Sequence, residues 1–307
     1  MIETQYTGSF LALSTSFLWT LAPFLFASAV RKIGAKRVNP LRLLAAGLIL
    51  MAVSAVYVYF NKTVLSGLNA EPFLWLVLSG FAGLVLGDSL YLSSLGFLGP
   101  RRALQIFILS PAVSAVIAWF WLNEKISPVG ISGLVLITGA LFAITFLENK
   151  AASVIGEPGT FSWIGLTMAF FATLLHGSGA VLARNAYLQS TNLDPVIAAT
   201  VRVGSSALLI WIWVLLRGKA ADVFRSVKDW HTFSRIGSAT MLGPVLGMLL
   251  YIGAFKTAPA GVVSLLSSLS PLLIIPISAW RYKTKINYLV LFCMIAASVG
   301  VVLVILR

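Results

Sequence analysis

An aspartate, a histidine and two arginines stand inside stretches otherwise too apolar for water, and these are the groups that could do chemistry. Asp88 lies in Leu86-Gly87-Asp88-Ser89-Leu90-Tyr91. Tyr91, three residues on, shares its face if the segment is helical. A carboxylate there can hold a cationic group, take up a proton if burial favours the neutral form, or pair with an arginine as scaffold. His176, in Thr173-Leu174-Leu175-His176-Gly177-Ser178-Gly179, titrates near neutrality and suits a proton relay as well as a neutral interhelical hydrogen bond. Arg202 and Arg42 can brace helix ends, or a fixed guanidinium can grip a carboxylate or phosphate. Trp19 falls mid-run beside Thr20 and Pro23, where it can wall a pocket or pack. Ser264, Ser267 and Ser268 follow helical spacing and make a polar stripe, and Gln105 is a lone polar residue of the same kind. Either use fits them: lining a cavity or bonding helix to helix.

The elements that carry these residues must live in lipid. The 307-residue chain is 59% hydrophobic and 10% charged, against about 25% charged in a soluble domain. Runs long enough to cross a bilayer as helices are expected near 9–30, 41–60, 73–97, 103–122, 128–147, 161–183, 195–216, 236–256, 261–280 and 287–306. The net charge of +13 does not point to nucleic acid, because the basic residues sit in short bridges. Of the 22 Lys and Arg, alternate bridges hold 16 and 5, with Arg202 inside a span. The positive-inside rule then puts both termini outside the cytoplasm. The opening Met1–Gly8 carries Glu3 and no basic residue, unlike a secretory signal. The bridge at 217–235 has Val223, Phe224, Val227 and Trp230 at near-helical spacing, as for a segment lying on the membrane surface.

The chain also repeats itself. Residues 83–126 fall on 243–286 without a gap, with 12 of 44 positions identical: Gly83, Val85, Leu86, Gly87, Leu90, Tyr91, Leu109, Ser110, Pro111, Ile117, Lys125 and Ile126 meet their counterparts 160 residues on. Tyr251 is thus the mate of Tyr91, Arg202 of Arg42, and Met248 of Asp88. Two units are expected, 1–150 and 151–307. Five spans per unit force opposite polarity, as in many secondary transporters. Pro111 and Pro271 interrupt equivalent helices, each removing a backbone hydrogen bond, and are the expected gating hinges.

The repeated block resembles the drug/metabolite transporter superfamily, in particular its EamA-type permeases. The likeness is carried by Leu86 to Tyr91 leading to Ser110-Pro111, by Leu122-Asn123-Glu124-Lys125-Ile126, and by Trp19 and Arg42. Tyr282-Lys283-Thr284-Lys285 departs from the pattern where a second glutamate is usual. The resemblance implies an all-α membrane protein of ten helices, built as two inverted five-helix repeats around a central cavity, that moves small solutes by alternating access.

The expected function is therefore secondary export of small organic metabolites or drugs, such as amino acids, across a bacterial cytoplasmic membrane. The partners are a small-molecule substrate and the lipid bilayer, and the chain is expected to work as a monomer. A nucleotide-sugar or phosphate-ester exchanger, which would draw on Arg202 and Lys256, and a lipid flippase or channel are the alternatives. No enzyme activity and no cofactor is expected. The sequence has no metal-ligand set, no nucleophile with its base, and no Gly-x-x-x-x-Gly-Lys-Ser/Thr loop for ATP. Its one cysteine, Cys293, can form no internal disulfide.

Overall fold

An apolar run in lipid must satisfy its peptide groups within itself, which makes it a helix. The computed structural model describes residues 2–148, 162–227, 229–270, 272–273, 275–276 and 288–306, and among these no strand occurs. The first half comprises α1 (Ile2–Ile33), α2 (Ala35–Phe60), α3 (Ala70–Gly80), a π-helical segment Phe81–Gly87, α4 (Asp88–Phe107), α5 (Ser110–Leu122) and α6 (Pro128–Glu148). Then follow α7 (Trp163–Gln189), α8 (Pro195–Leu216), the short α9 (Ala220–Arg225), α10 (Trp230–Thr240), a second π-helical segment Met241–Gly247, α11 (Met248–Ala254), α12 (Ala260–Ser267) and α13 (Tyr288–Ile305). Eight candidate spans among the described residues are long and apolar enough to cross a membrane. The span expected at 9–30 lies within α1. That expected at 261–280 is described in part, and Pro271 lies outside the described residues.

Local chemistry sets several helix ends. Asp194 caps α8 by accepting from the N–H groups of Val196 and Ile197 at 2.8 and 3.3 Å, with Pro195 in the first turn, where its missing N–H costs nothing. Asp229 accepts from Thr232 N–H at 3.0 Å and starts α10 at Trp230. Trp230 thus opens a membrane helix instead of lying in the bridge, six residues before the expected start at 236. Of that bridge, Val223 is buried and Phe224 stacks on Trp211 at 4.8 Å. Asn123, at φ 52°, ends α5 in the left-handed conformation. The bridge expected near 98–102 keeps helical hydrogen bonding inside α4. Arg42 is not near a helix end as expected, because α2 begins at Ala35 and puts it two turns inside.

The repeat is visible in the backbone. The two π-helical segments are 160 residues apart, and so are the breaks at 108–109 and 268–269. A π turn inserts one extra residue and turns the side chains that follow. Here it comes immediately before Asp88 and before Met248.

Packing obeys the same symmetry. α1 lies against α10, α11 and α12, while α7 lies against α3, the mate of α10, against α4, the mate of α11 and α12 together, and against α5. α2 pairs with its own mate α8, and α6 with its mate α13. Both pairs are antiparallel. Ser54 meets Thr200 at 2.5 Å, and at the other end Trp211 Nε1 donates to the Pro40 carbonyl at 3.0 Å. A Cβ on Gly133 would touch Val304, and one on Gly300 would touch Ile137. The core holds Leu43, Leu50, Leu76, Ile137 and Ile252, all fully buried. Large apolar side chains such as Phe10, Trp163, Leu216 and Phe292 are more than two-thirds exposed, which an aqueous surface would not tolerate in such number and a hydrocarbon surface requires.

Candidate functional site

Where the two halves meet, the helices leave a cavity of about 380 Å³, the size of a small organic ligand. Its wall comes from both halves: α1, α2, the first π segment, α4, the 108–109 break and the start of α5 on one side, α7, α8, the second π segment, α11, α12 and the 268–269 break on the other. Trp19, Arg42, Asp88, Tyr91, Pro111, His176, Arg202, Tyr251, Ser264, Ser267 and Ser268 all line it. Gln105 does not. Leu104, Phe107 and Ile108 occupy the cavity-facing positions of that turn, and Gln105 is rotated about 100° from Leu104. Lys256 is exposed on the connection after α11 and is likewise absent from the wall.

The charged groups are arranged unequally. Arg42 forms an ion pair with Asp88, and its Nε donates to Asn39 Oδ1 at 2.8 Å. The partner of Asp88 in the repeat is Met248, so the equivalent arginine has no carboxylate to meet. Arg202 is 1% exposed, and its guanidinium lies over the Tyr251 ring at 5.5 Å, with Nη1 3.6 Å from Met248 Sδ. Its Nε has no hydrogen-bond partner, and a Cβ on Gly83 would stand 3.1 Å from Nη2. The first half therefore contains the arginine brace expected of both, and the second half holds the same arginine with a ring and a sulfur in place of the carboxylate.

The uncharged wall is aromatic and hydroxylic. Tyr251 packs on Trp19 at 5.0 Å, and Tyr91 on Phe107 at 4.4 Å, with His176 4.9 Å from the Phe107 ring. Tyr251 thus meets the first helix of the other half directly, and Tyr91 reaches the first helix of the other half through Phe107. Trp19 Nε1 donates to the Gly243 carbonyl at 3.4 Å, inside the second π segment. His176 Nδ1 is buried without a partner. The serines spend their protons on neighbours: Ser264 on Ser114 at 3.1 Å, Ser267 on the Val263 carbonyl at 2.7 Å and Ser268 on the Leu265 carbonyl at 2.8 Å. Their oxygens remain as acceptors. No group of three potential metal ligands occurs among the described residues.

Two ionic clasps flank the cavity. Lys32, at the end of α1, pairs with Asp229 at the start of α10 at 2.6 Å. Asp229 is held by Lys32 and by Thr232 N–H, which keep its carboxyl at about 2, below the ordinary 3.8. At the far end of the same span, Glu124 accepts from Arg184 Nε at 2.6 Å and from Ala260 N–H at 2.8 Å, while Arg184 Nη1 donates to the Phe255 carbonyl at 2.6 Å. Sequence reasoning singled out Glu124 for its motif but not Arg184, whose partners are 60 and 71 residues away. Phe107, Ser110 and Ser270 were also missed as lining residues. Ser110 and Ser270 were within reach, because both belong to the repeated Leu-Ser-Pro.

Among solved structures, one described only as "Crystal structure of protein" shares the fold with a TM-score of 0.74 over 97% of each chain, at 14% identity. A search of curated proteins gives no match. The sequence model of the EamA-like transporter family matches residues 6–146 and again 163–306. With both halves matched over nearly their whole length, the chain is a multi-pass membrane protein that belongs to the EamA-like transporter family.

Proposed function

We propose that this chain is a secondary active transporter that exports small organic metabolites or drugs by alternating access. Ten spans, counting α1 and 261–280, would form two inverted units, 1–150 and 151–307. Both termini would lie outside the cytoplasm in a bacterial cytoplasmic membrane, and one chain would suffice. The observation that carries the reading is a solute-sized cavity at the junction of two halves whose equivalent helices run antiparallel, with an ionic clasp at either end. Opening one clasp while the other stays shut would expose the cavity to one face at a time. The breaks at 108–109 and 268–269 are the hinges, and Pro111, in the first turn of α5, fixes where the first of them falls.

The phosphate-ester alternative needs at least two free cations, and Arg42 is engaged by Asp88. The test is an unbiased metabolite comparison between cells with and without the protein, inside and medium measured separately. One solute class depleted inside and enriched in the medium supports export. Accumulation inside would reverse the direction, and unchanged pools with altered lipid asymmetry would favour a flippase.

A further inference from the structure

Among the described residues, the cavity carries one charge more than its lining balances. Three ionised side chains of the described residues line it: Arg42, Asp88 and Arg202. The first two form an ion pair. Arg202 remains, 1% exposed, with no carboxylate within 4 Å among the described residues and with Nε unpartnered. A guanidinium stays protonated under all ordinary conditions. Burying it without an anion is costly, and a ring at 5.5 Å and a thioether at 3.6 Å recover a minor part of that cost. Structures keep such a group where something else completes it.

We propose that the missing anion belongs to the solute, and that the solute is an organic monocarboxylate: one carboxylate on Arg202, attached to an apolar body lying against the wall that the packed rings of Trp19 and Tyr251 form together. This rests on the transport reading and narrows it. A carboxylate matches the planar fork of a single guanidinium. A phosphate monoester, with a second negative charge, would need a second free cation. A zwitterion would need a free carboxylate for its ammonium, and Asp88 is already paired. The aromatic wall supplies the apolar surface against which the body stacks.

The test uses the purified full-length chain at neutral pH and five probes of one size: phenylacetate, phenylacetamide, phenethylamine, phenylalanine and phenyl phosphate. Phenylacetate is expected to bind about tenfold or more tighter than its amide, the worth of one charge-assisted contact. Arg202→Gln is expected to bring it down to the level of the amide, and Arg202→Lys to keep part of the difference. If Arg202→Gln does not fold, the wild-type ranking alone decides. Equal binding of acid and amide, or preference for the amine, the zwitterion or the phosphate, overturns the inference. Binding of none of the five overturns it too, and leaves the transport reading to the metabolite comparison.

Discussion

Replacing Glu124 by alanine should unlock one end of the helix bundle. Its carboxylate receives Arg184 Nε at 2.6 Å and Ala260 N–H at 2.8 Å, and the two side chains are 9% and 15% exposed. Water therefore does little to replace the contact. Breaking a buried pair by removing one partner costs about 3–5 kcal/mol. Arg184 keeps its bond to the Phe255 carbonyl, so its charge is not orphaned, and the expected loss is at the low end, about 3 kcal/mol. Glu124→Gln keeps an acceptor for one of the two donors and should lose about 1 kcal/mol. The assay is unfolding of the purified protein in a double-mutant cycle with Arg184→Ala, where coupling of about 2 kcal/mol is expected. Losses that add to within about 0.5 kcal/mol would refute the clasp. If the clasp also opens during turnover, Glu124→Gln should change turnover more than solute affinity.

Three further outcomes follow from the same geometry. Asp88→Asn frees Arg42 and gives the cavity a second uncompensated cation, so binding should shift toward doubly charged anions by about tenfold; an unchanged charge preference would mean that Arg42 does not reach the solute. Gly247→Ala would place a Cβ 2.4 Å from Trp19 Nε1 and should destabilise the protein by about 1–3 kcal/mol, whereas Gly87→Ala, with no heavy atom inside 3.0 Å of its Cβ, should cost less; thermal unfolding of the two variants compares them. Because Asp229 has its carboxyl lowered from 3.8 to about 2 by Lys32 and Thr232, the clasp is fully stabilising above pH 3.8 and is lost as pH falls toward 2; Asp229→Asn should remove that part of the acid dependence of the melting temperature.

What could be read from the sequence follows from what is local. Apolar runs fix the spans, and a constant offset of 160 residues pairs Tyr91 with Tyr251 and Arg42 with Arg202. Polar or ionisable groups inside those runs marked most of the cavity wall, Asp88, His176, Arg202 and the α12 serines among them, and the pairing added Tyr251, because residues on the inward face of one half have inward-facing mates in the other. What escaped depends on helices distant in sequence. The Arg42–Asp88 pair spans 46 residues and the Glu124–Ala260 contact 136, and no periodicity records either. The π segments left a trace, Gly-x-Val-Leu-Gly in both halves, but the extra residue of a wide turn has no signature of its own in composition. Gln105 shows the converse error. Its polarity marked it, while one residue of helical rotation takes it off the cavity face.

The measurement that tests the central claim most directly is solute counterflow in liposomes holding the purified wild-type chain, preloaded with the solute found by the metabolite comparison. A cavity reached from one side at a time should take up labelled solute against an unlabelled internal pool, saturably, and faster than into empty vesicles. Uptake that rises linearly with concentration and gains nothing from preloading would describe an open pore and contradict the account.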